Sequence, residues 1–161
     1  QYMAPLDGVT QVVGDITTRE TAQAVEQAFY DAQRSPYTRV ADLIVCDGAP
    51  DVTGLQMIDE FLHSQLLAAA VTMVSRMLRR DGTFVAKVFA EPGSSSTNML
   101  MAQLRRLFLR VELAKPRSSR ASSAEHFVVC MGFLGRKHDE DSSQIQPVFL
   151  GDLQGYNAAS T

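Results

Sequence analysis

Lys87 is the residue whose type fits its surroundings least. It lies among Phe84, Val85, Ala86, Val88 and Phe89. An ammonium in a strand buried on both faces is costly unless it finds a partner or a cavity. The alternative is a lysine that snorkels from a strand end. Two acids occupy comparable places. Asp47 ends the apolar run of "ADLIVCDGAPDVTG", and Glu125 opens "EHFVVCMGF". Each has a plain reading by itself: an acid after a strand caps a turn or the next helix, and an acid before a strand is solvated. Asp15, at the end of "GVTQVVGDI", has the same turn reading. The spacing says more than the single residues. One acid ends a strand, one lysine lies in the next strand, and one glutamate opens the last. Neighbouring strands can bring all three to one cleft, and an acid–lysine–acid group suits proton transfer from an alcohol. The loop "KPRSSRASS" adds Lys115, Arg117 and Arg120 with serines that include Ser119. These can supply charge and hydroxyl donors to phosphates; a flexible surface loop is the competing reading.

The elements that must position these groups alternate. "GVTQVVGDI" reads as a short strand, and Thr17 or Thr18 caps a helix to about Gln33 with Ala22, Val25, Ala28 and Phe29 on one face. "VADLIVCD" is a continuous apolar run, as in a parallel strand buried on both faces. A long helix from about Met57 to Leu78 follows, its apolar face carrying Ile58, Phe61, Leu62, Leu66, Ala69, Met73 and Met77 until "RRDG" stops it. "GTFVAKVF" is a strand, "AEPGSSS" a loop, and "TNMLMAQLRRLF" a helix with Leu100, Leu104 and Leu107 or Phe108 toward a core. "LRVELAK" and "EHFVVCMGF" are two strands in succession, predicting an antiparallel pair at the end of an α/β sheet with helices on both faces. Ligands gather at the carboxyl ends of strands in such sheets, where Asp15, Asp47 and nearly Lys87 fall. Residues 1–134 make one domain, and 135–161 a polar tail, loosely packed or disordered.

The totals narrow the classes. The 161 residues suit one domain, and the net charge of −3 announces no global attraction to nucleic acid, which leaves a local basic loop to do that work. No run of about 18 apolar residues occurs, which predicts no membrane-spanning helix. The start "QYMAPLDGVT" lacks the pattern of a signal peptide. Cys46 and Cys130 fall in apolar strands and read as buried free thiols of a reducing cytosol or nucleus. The three histidines are scattered, so no metal site is expected.

"CDGAPDVTG", "FVAKVF" and "KPRSSRASSAEHFVVC" together resemble the motifs of FtsJ-type S-adenosylmethionine-dependent RNA ribose 2′-O-methyltransferases. "MAPLDGVTQVVGDIT" is similar to that family's third strand and its adenine-contacting acid. The resemblance runs from Gln1 to about Phe133. It implies a Rossmann-like methyltransferase sheet, S-adenosylmethionine as cofactor, and a Lys-Asp-Lys-Glu catalytic tetrad. Asp47, Lys87 and Glu125 match its aspartate, second lysine and glutamate. Asp15 and Ile16 match the adenine end of the cofactor site, and Asp47 and Gly48 its methionine end. Lys115, Arg117, Ser119 and Arg120 of the basic loop are then expected to bind the RNA. "DGAPDVTG" followed by "DEFLHSQLLAA" looks most like the eukaryotic cytoplasmic tRNA anticodon-loop branch, whose members work with separate partner proteins.

The sequence departs from the family in two places. The family's first lysine and Gly-rich cofactor loop precede the point where Gln1 begins, so the first strand, first helix and second strand of that fold are expected to be missing here. The loop after the lysine strand reads "AEPGSSS" where the branch carries basic residues. Three functions are open at this stage: methyl transfer to a tRNA ribose, methyl transfer to an rRNA ribose, and a methyltransferase-like subunit that binds RNA or a partner without catalysis. An unrelated nucleotide-binding α/β domain fits the periodicity but not the set of motifs.

Overall fold

In the computed structural model the described residues are 3–32, 41–48, 56–120 and 123–135. The elements in chain order are α1 (Arg19–Ala32), β1 (Ala41–Cys46), α2 (Gln56–Met77), β2 (Leu78–Phe89), α3 (Ser95–Leu104), β3 (Phe108–Ala114) and β4 (Glu125–Phe133). The four strands pair in the order β1-β2-β4-β3. β1 runs parallel to β2 through Leu43↔Thr83 and Cys46↔Ala86. β4 is antiparallel to β2, with Lys87↔Phe127 and Phe89↔Glu125, and antiparallel to β3 from Phe108↔Phe133. The expected α/β sheet with an antiparallel last strand is present.

Strand alternation sorts the side chains. Phe84, Ala86 and Val88 of β2 share one face with Val128 and Cys130 of β4, and none of the five is more than 2% exposed. Leu67, Ala70, Val71 and Val74 of α2 and Met101 and Leu104 of α3 join them in a single core. The Phe84, Phe108 and Phe133 rings run through it, with centroids 6.2 and 5.4 Å apart. α1 attaches separately. Ala22 packs with Met73 and Met77, flanked by Val25, Phe29 and Ile44, and the Arg76 guanidinium forms a two-pronged pair with Glu26. The Arg76 guanidinium is held further above its ordinary range by that bond.

Several expectations change. Residues 8–16 form no ladder; a strand needs a neighbour to accept its N–H groups, and among the described residues none lies beside them. The β1 run is buried on one face only, with Leu43 and Val45 53% and 60% exposed. Among the described residues β1 is an edge strand, so an apolar run there does not imply cover on both sides. The buried stripe of α2 is Leu67, Ala70, Val71, Met73, Val74 and Met77, whereas Leu62 is exposed and Leu66 and Ala69 only half-buried. Helix α2 is apolar nearly all round, so spacing alone does not select its inner face. "RRDG" does not separate helix from strand, because β2 begins at Leu78 directly after α2. Asp81 takes a left-handed φ of 62° and the register slips between Ala41 and Leu43, so the chain bulges within the strand. Phe108 opens β3 and does not close α3. Among the described residues α2 and α3 share one core, so the expected cover by helices is met on one face. The side chains of Ile58 and Phe61, the turn after Gly48 and the tail from residue 136 lie outside the described residues.

Candidate active site

Parallel β1–β2 and antiparallel β4 place three chain positions at one end of the sheet: the residue after β1, the last turn of β2 and the first residue of β4. These are Asp47, Lys87 and Glu125. Lys87 alternates onto the face opposite Phe84, Ala86 and Val88, and its side chain is 16% exposed. Its Nζ is 2.7 Å from Asp47 Oδ1 and 3.7 Å from Glu125 Oε1. The hydrogen bond to Asp47 raises the lysine's pKa above its ordinary value, the charges of Asp47 and Glu125 add to that, and burial opposes it. An ammonium between two carboxylates is therefore the resting state.

Asp47 is the wall between two cavities. A polar one of about 580 Å³ is lined by Asp47, Ser119, Arg120, Ser123, Glu125 and Phe127. An apolar groove of about 430 Å³ runs along β1 past Ile44, Cys46, Asp47 and Gly48, with Ile16, Phe29 and Leu66 among its walls. Three of the four residues expected around a cofactor, Ile16, Asp47 and Gly48, thus meet in one groove. The fourth, Asp15, lines neither cavity. Its Oδ1 accepts from the Thr17 hydroxyl at 2.7 Å and the Thr17 N–H at 2.9 Å, and these bonds, the hydroxyl first, lower its pKa. Thr18 accepts from the Thr21 N–H and so caps α1. Gly14 lies so near that helix that a Cβ there would overlap the Thr21 hydroxyl.

The β3–β4 loop folds back on Glu125. Ser119 Oγ donates to Glu125 Oε2 at 3.4 Å, and the Glu125 N–H donates to Ser123 Oγ at 3.1 Å. Lys115, expected on phosphates, donates to the Ser123 carbonyl at 2.8 Å. Arg117 and Arg120 are exposed, and Arg120 lines the polar cavity. In the "AEPGSSS" segment Ser94 caps α3, accepting from the Thr97 N–H.

His63 is a neighbour the sequence did not reveal. Its ring lies 5.2 Å from that of Phe89, and both ring nitrogens are buried without a hydrogen-bond partner. Burial first, and then the charge of Lys87, lower its pKa, so it stays neutral. A lone histidine in an apolar helix carries no signal that its ring will reach the strand of the lysine. Among the described residues no cluster of His, Cys, Asp or Glu fits a metal ion, and no helix is long and apolar enough to cross a membrane.

A mouse tRNA (cytidine(32)/guanosine(34)-2′-O)-methyltransferase is 40% identical over all of this chain and 53% of its own length. The fission yeast protein of the same name is 39% identical over all of this chain and 58% of its own. The chain thus spans about half the length of the curated relatives it matches. A crystal structure of a Plasmodium falciparum protein described as a ribosomal RNA methyltransferase shares the fold, with a TM-score of 0.68 over 84% of this chain and 70% of that one at 24% identity. The family model of the FtsJ-like methyltransferases matches residues 1–133, and the chain belongs to that family.

Proposed function

We propose that the protein carrying this chain transfers a methyl group from S-adenosylmethionine to a ribose 2′-hydroxyl of RNA, in the anticodon loop of tRNA. The observation that carries this reading is Asp47. It holds Lys87 at 2.7 Å and forms the wall common to the apolar groove and the polar cavity. A donor on one side and an acceptor on the other meet at that wall. The relatives of about 40% identity named as tRNA methyltransferases support tRNA as substrate.

The groove fits the cofactor in kind. Its walls suit a purine, and the Asp47 carboxylate suits a cationic sulfonium. Ile16, Asp47 and Gly48 would hold it there; Asp15 is next to Ile16 in the chain but does not line the groove. When bound, S-adenosylmethionine supplies a methyl group already activated for in-line displacement, so positioning supplies much of the rate. Lys87 as a charged donor orients the ribose oxygen and steadies it as it loses its proton. Glu125 and Asp47 are the acceptors through which that proton reaches water. Two carboxylates hold the Lys87 proton, so it acts here as a charged donor and not as a neutral general base. Arg117, Arg120 and the Ser119 hydroxyl face the RNA. A separate partner protein that places the tRNA loop, and the cytoplasm as compartment, complete the reading; the free thiols of Cys46 and Cys130 accord with the latter.

Methyl transfer to tRNA and rRNA transcripts, with the methylated nucleotide mapped, tests it. Methylation of a ribose in the anticodon loop is expected. Methylation of rRNA alone moves the substrate, and methylation of neither, with S-adenosylmethionine binding absent by calorimetry on this chain and on a longer one, supports the non-catalytic subunit.

A further inference from the structure

Lys115 and Glu125 stand at the two feet of the β3–β4 loop, one directly after β3 and the other opening β4. The Lys115 side chain is exposed, and its ammonium crosses the base of the loop to the Ser123 carbonyl at 2.8 Å. The same Ser123 accepts the Glu125 N–H on its hydroxyl at 3.1 Å. Further up the loop, Ser119 Oγ donates to Glu125 Oε2 at 3.4 Å, which leaves Oε1 as the oxygen 3.7 Å from Lys87 Nζ. Two backbone bonds, Ser119 N–H to the Pro116 carbonyl and Ser123 N–H to the Arg120 carbonyl, both 3.0 Å, tie the loop to itself between these feet. On the far side, the Ala90 N–H donates to the Ala124 carbonyl at 3.0 Å, tying the foot beside Glu125 to the end of β2.

We propose that Lys115 is a positioning residue for Glu125. Its ammonium closes the loop on Ser123, and through Ser123 and Ser119 it fixes which carboxylate oxygen faces Lys87. A long flexible stem with several N–H donors can cross a loop base and bind a carbonyl by a charge-assisted bond; Arg117 and Arg120 lie exposed further along the loop. The loop is then both the RNA-facing surface and the support of the catalytic acid, so RNA engaged by Arg120 acts on the Glu125 carboxylate through the same hydrogen bonds. This inference rests on the methyltransferase reading for its consequence in catalysis, but not for its geometry.

The test compares Lys115→Met, Lys115→Arg and Arg120→Ala in the full-length protein, with a tRNA transcript as probe. Three quantities are read: transcript Kd, the single-turnover rate at saturating transcript, and hydrogen exchange of the Glu125 amide against those of Val128 and Cys130 as core references. In Lys115→Met the Glu125 amide is expected to exchange about fivefold faster with the references unmoved, as for loss of one ordinary hydrogen bond. The saturated rate falls by a similar factor while Kd stays within about twofold. Lys115→Arg restores both, and Arg120→Ala raises Kd and leaves Glu125 exchange alone. The proposal is overturned if Lys115→Met raises Kd as Arg120→Ala does with Glu125 exchange and saturated rate unchanged, or if all three stay at wild-type values. If the wild-type protein transfers no methyl group, the methyltransferase reading fails, and the amide exchange still decides whether Lys115 holds Glu125.

Discussion

At the centre of the sheet Phe84, Ala86 and Val88 are at most 2% exposed; along β1, Leu43 and Val45 are 53% and 60% exposed. Both regions deliver a charged residue to the same site, and they hold it differently. Lys87 and Glu125 are bound by one antiparallel ladder, with Lys87 opposite Phe127 and Glu125 opposite Phe89. Their separation is fixed by backbone geometry. Asp47 extends beyond an edge strand and its side chain is 70% exposed, although its contact with Lys87 is the shorter one. The lysine–glutamate half of the site is therefore rigid, and the aspartate half, which borders the apolar groove, is free to adjust to what occupies that groove.

Lys87→Ala is the strongest way to break this comparison. Methyl transfer is expected to fall by about 10³-fold or more, as for loss of a preorganised charged donor, while calorimetric binding of S-adenosylmethionine changes little. Equal loss of cofactor binding would make Lys87 a structural residue of the groove as well. The pH profile sharpens the same point. With its pKa raised by Asp47, Lys87 stays charged through neutral pH, so the rate is expected to be nearly flat there. A neutral-lysine base would instead give a rise of about tenfold per pH unit. The sign for stability follows from the same shift. The Lys87–Asp47 contact contributes fully below the ordinary lysine range and is lost as pH rises through the elevated pKa.

The next effect is on stability. Phe84→Ala should cost about 3–5 kcal/mol by denaturant titration, because it empties a fully buried ring site. Leu43→Ser on the β1 edge should stay within about 0.5 kcal/mol. Comparable losses at both positions would mean that the edge is as well covered as the centre. The smallest effect concerns His63. Its lowered pKa means that the unfolded chain takes up a proton where the folded chain does not. Stability is full above the ordinary histidine range and declines as pH falls through it, and His63→Gln should flatten that decline in urea titrations.

The parts legible in the sequence are those set by local pattern. The run Glu125–Phe133 is apolar from Phe127 to Met131 and ends at its observed bounds, and Lys87 stands out because its neighbours in the strand are apolar. The coming together of Asp47, Lys87 and Glu125 followed from strand ends, which order along the chain already suggests. What stayed hidden depends on contacts across the chain. Residues 8–16 have strand composition, but composition does not supply a pairing partner. The inner face of α2 is set by where the sheet lies, since apolar residues surround the helix. The bulge at Asp81 needs both the β1 register and the left-handed residue to be seen. The bond of Lys115 to the carbonyl across the loop base is likewise absent from the composition of a serine-rich loop.

One ammonium between two carboxylates leaves the floor of the polar cavity with an excess of negative charge, while Arg120 stands in its lining. A polyanion approaching that mouth is sorted by its own parts. Phosphates are drawn to the arginine at the rim and repelled from the floor, whereas the uncharged ribose edge can descend between them. Under the proposed reading, charge alone would favour a sugar over the backbone on either side of it, before any base is read.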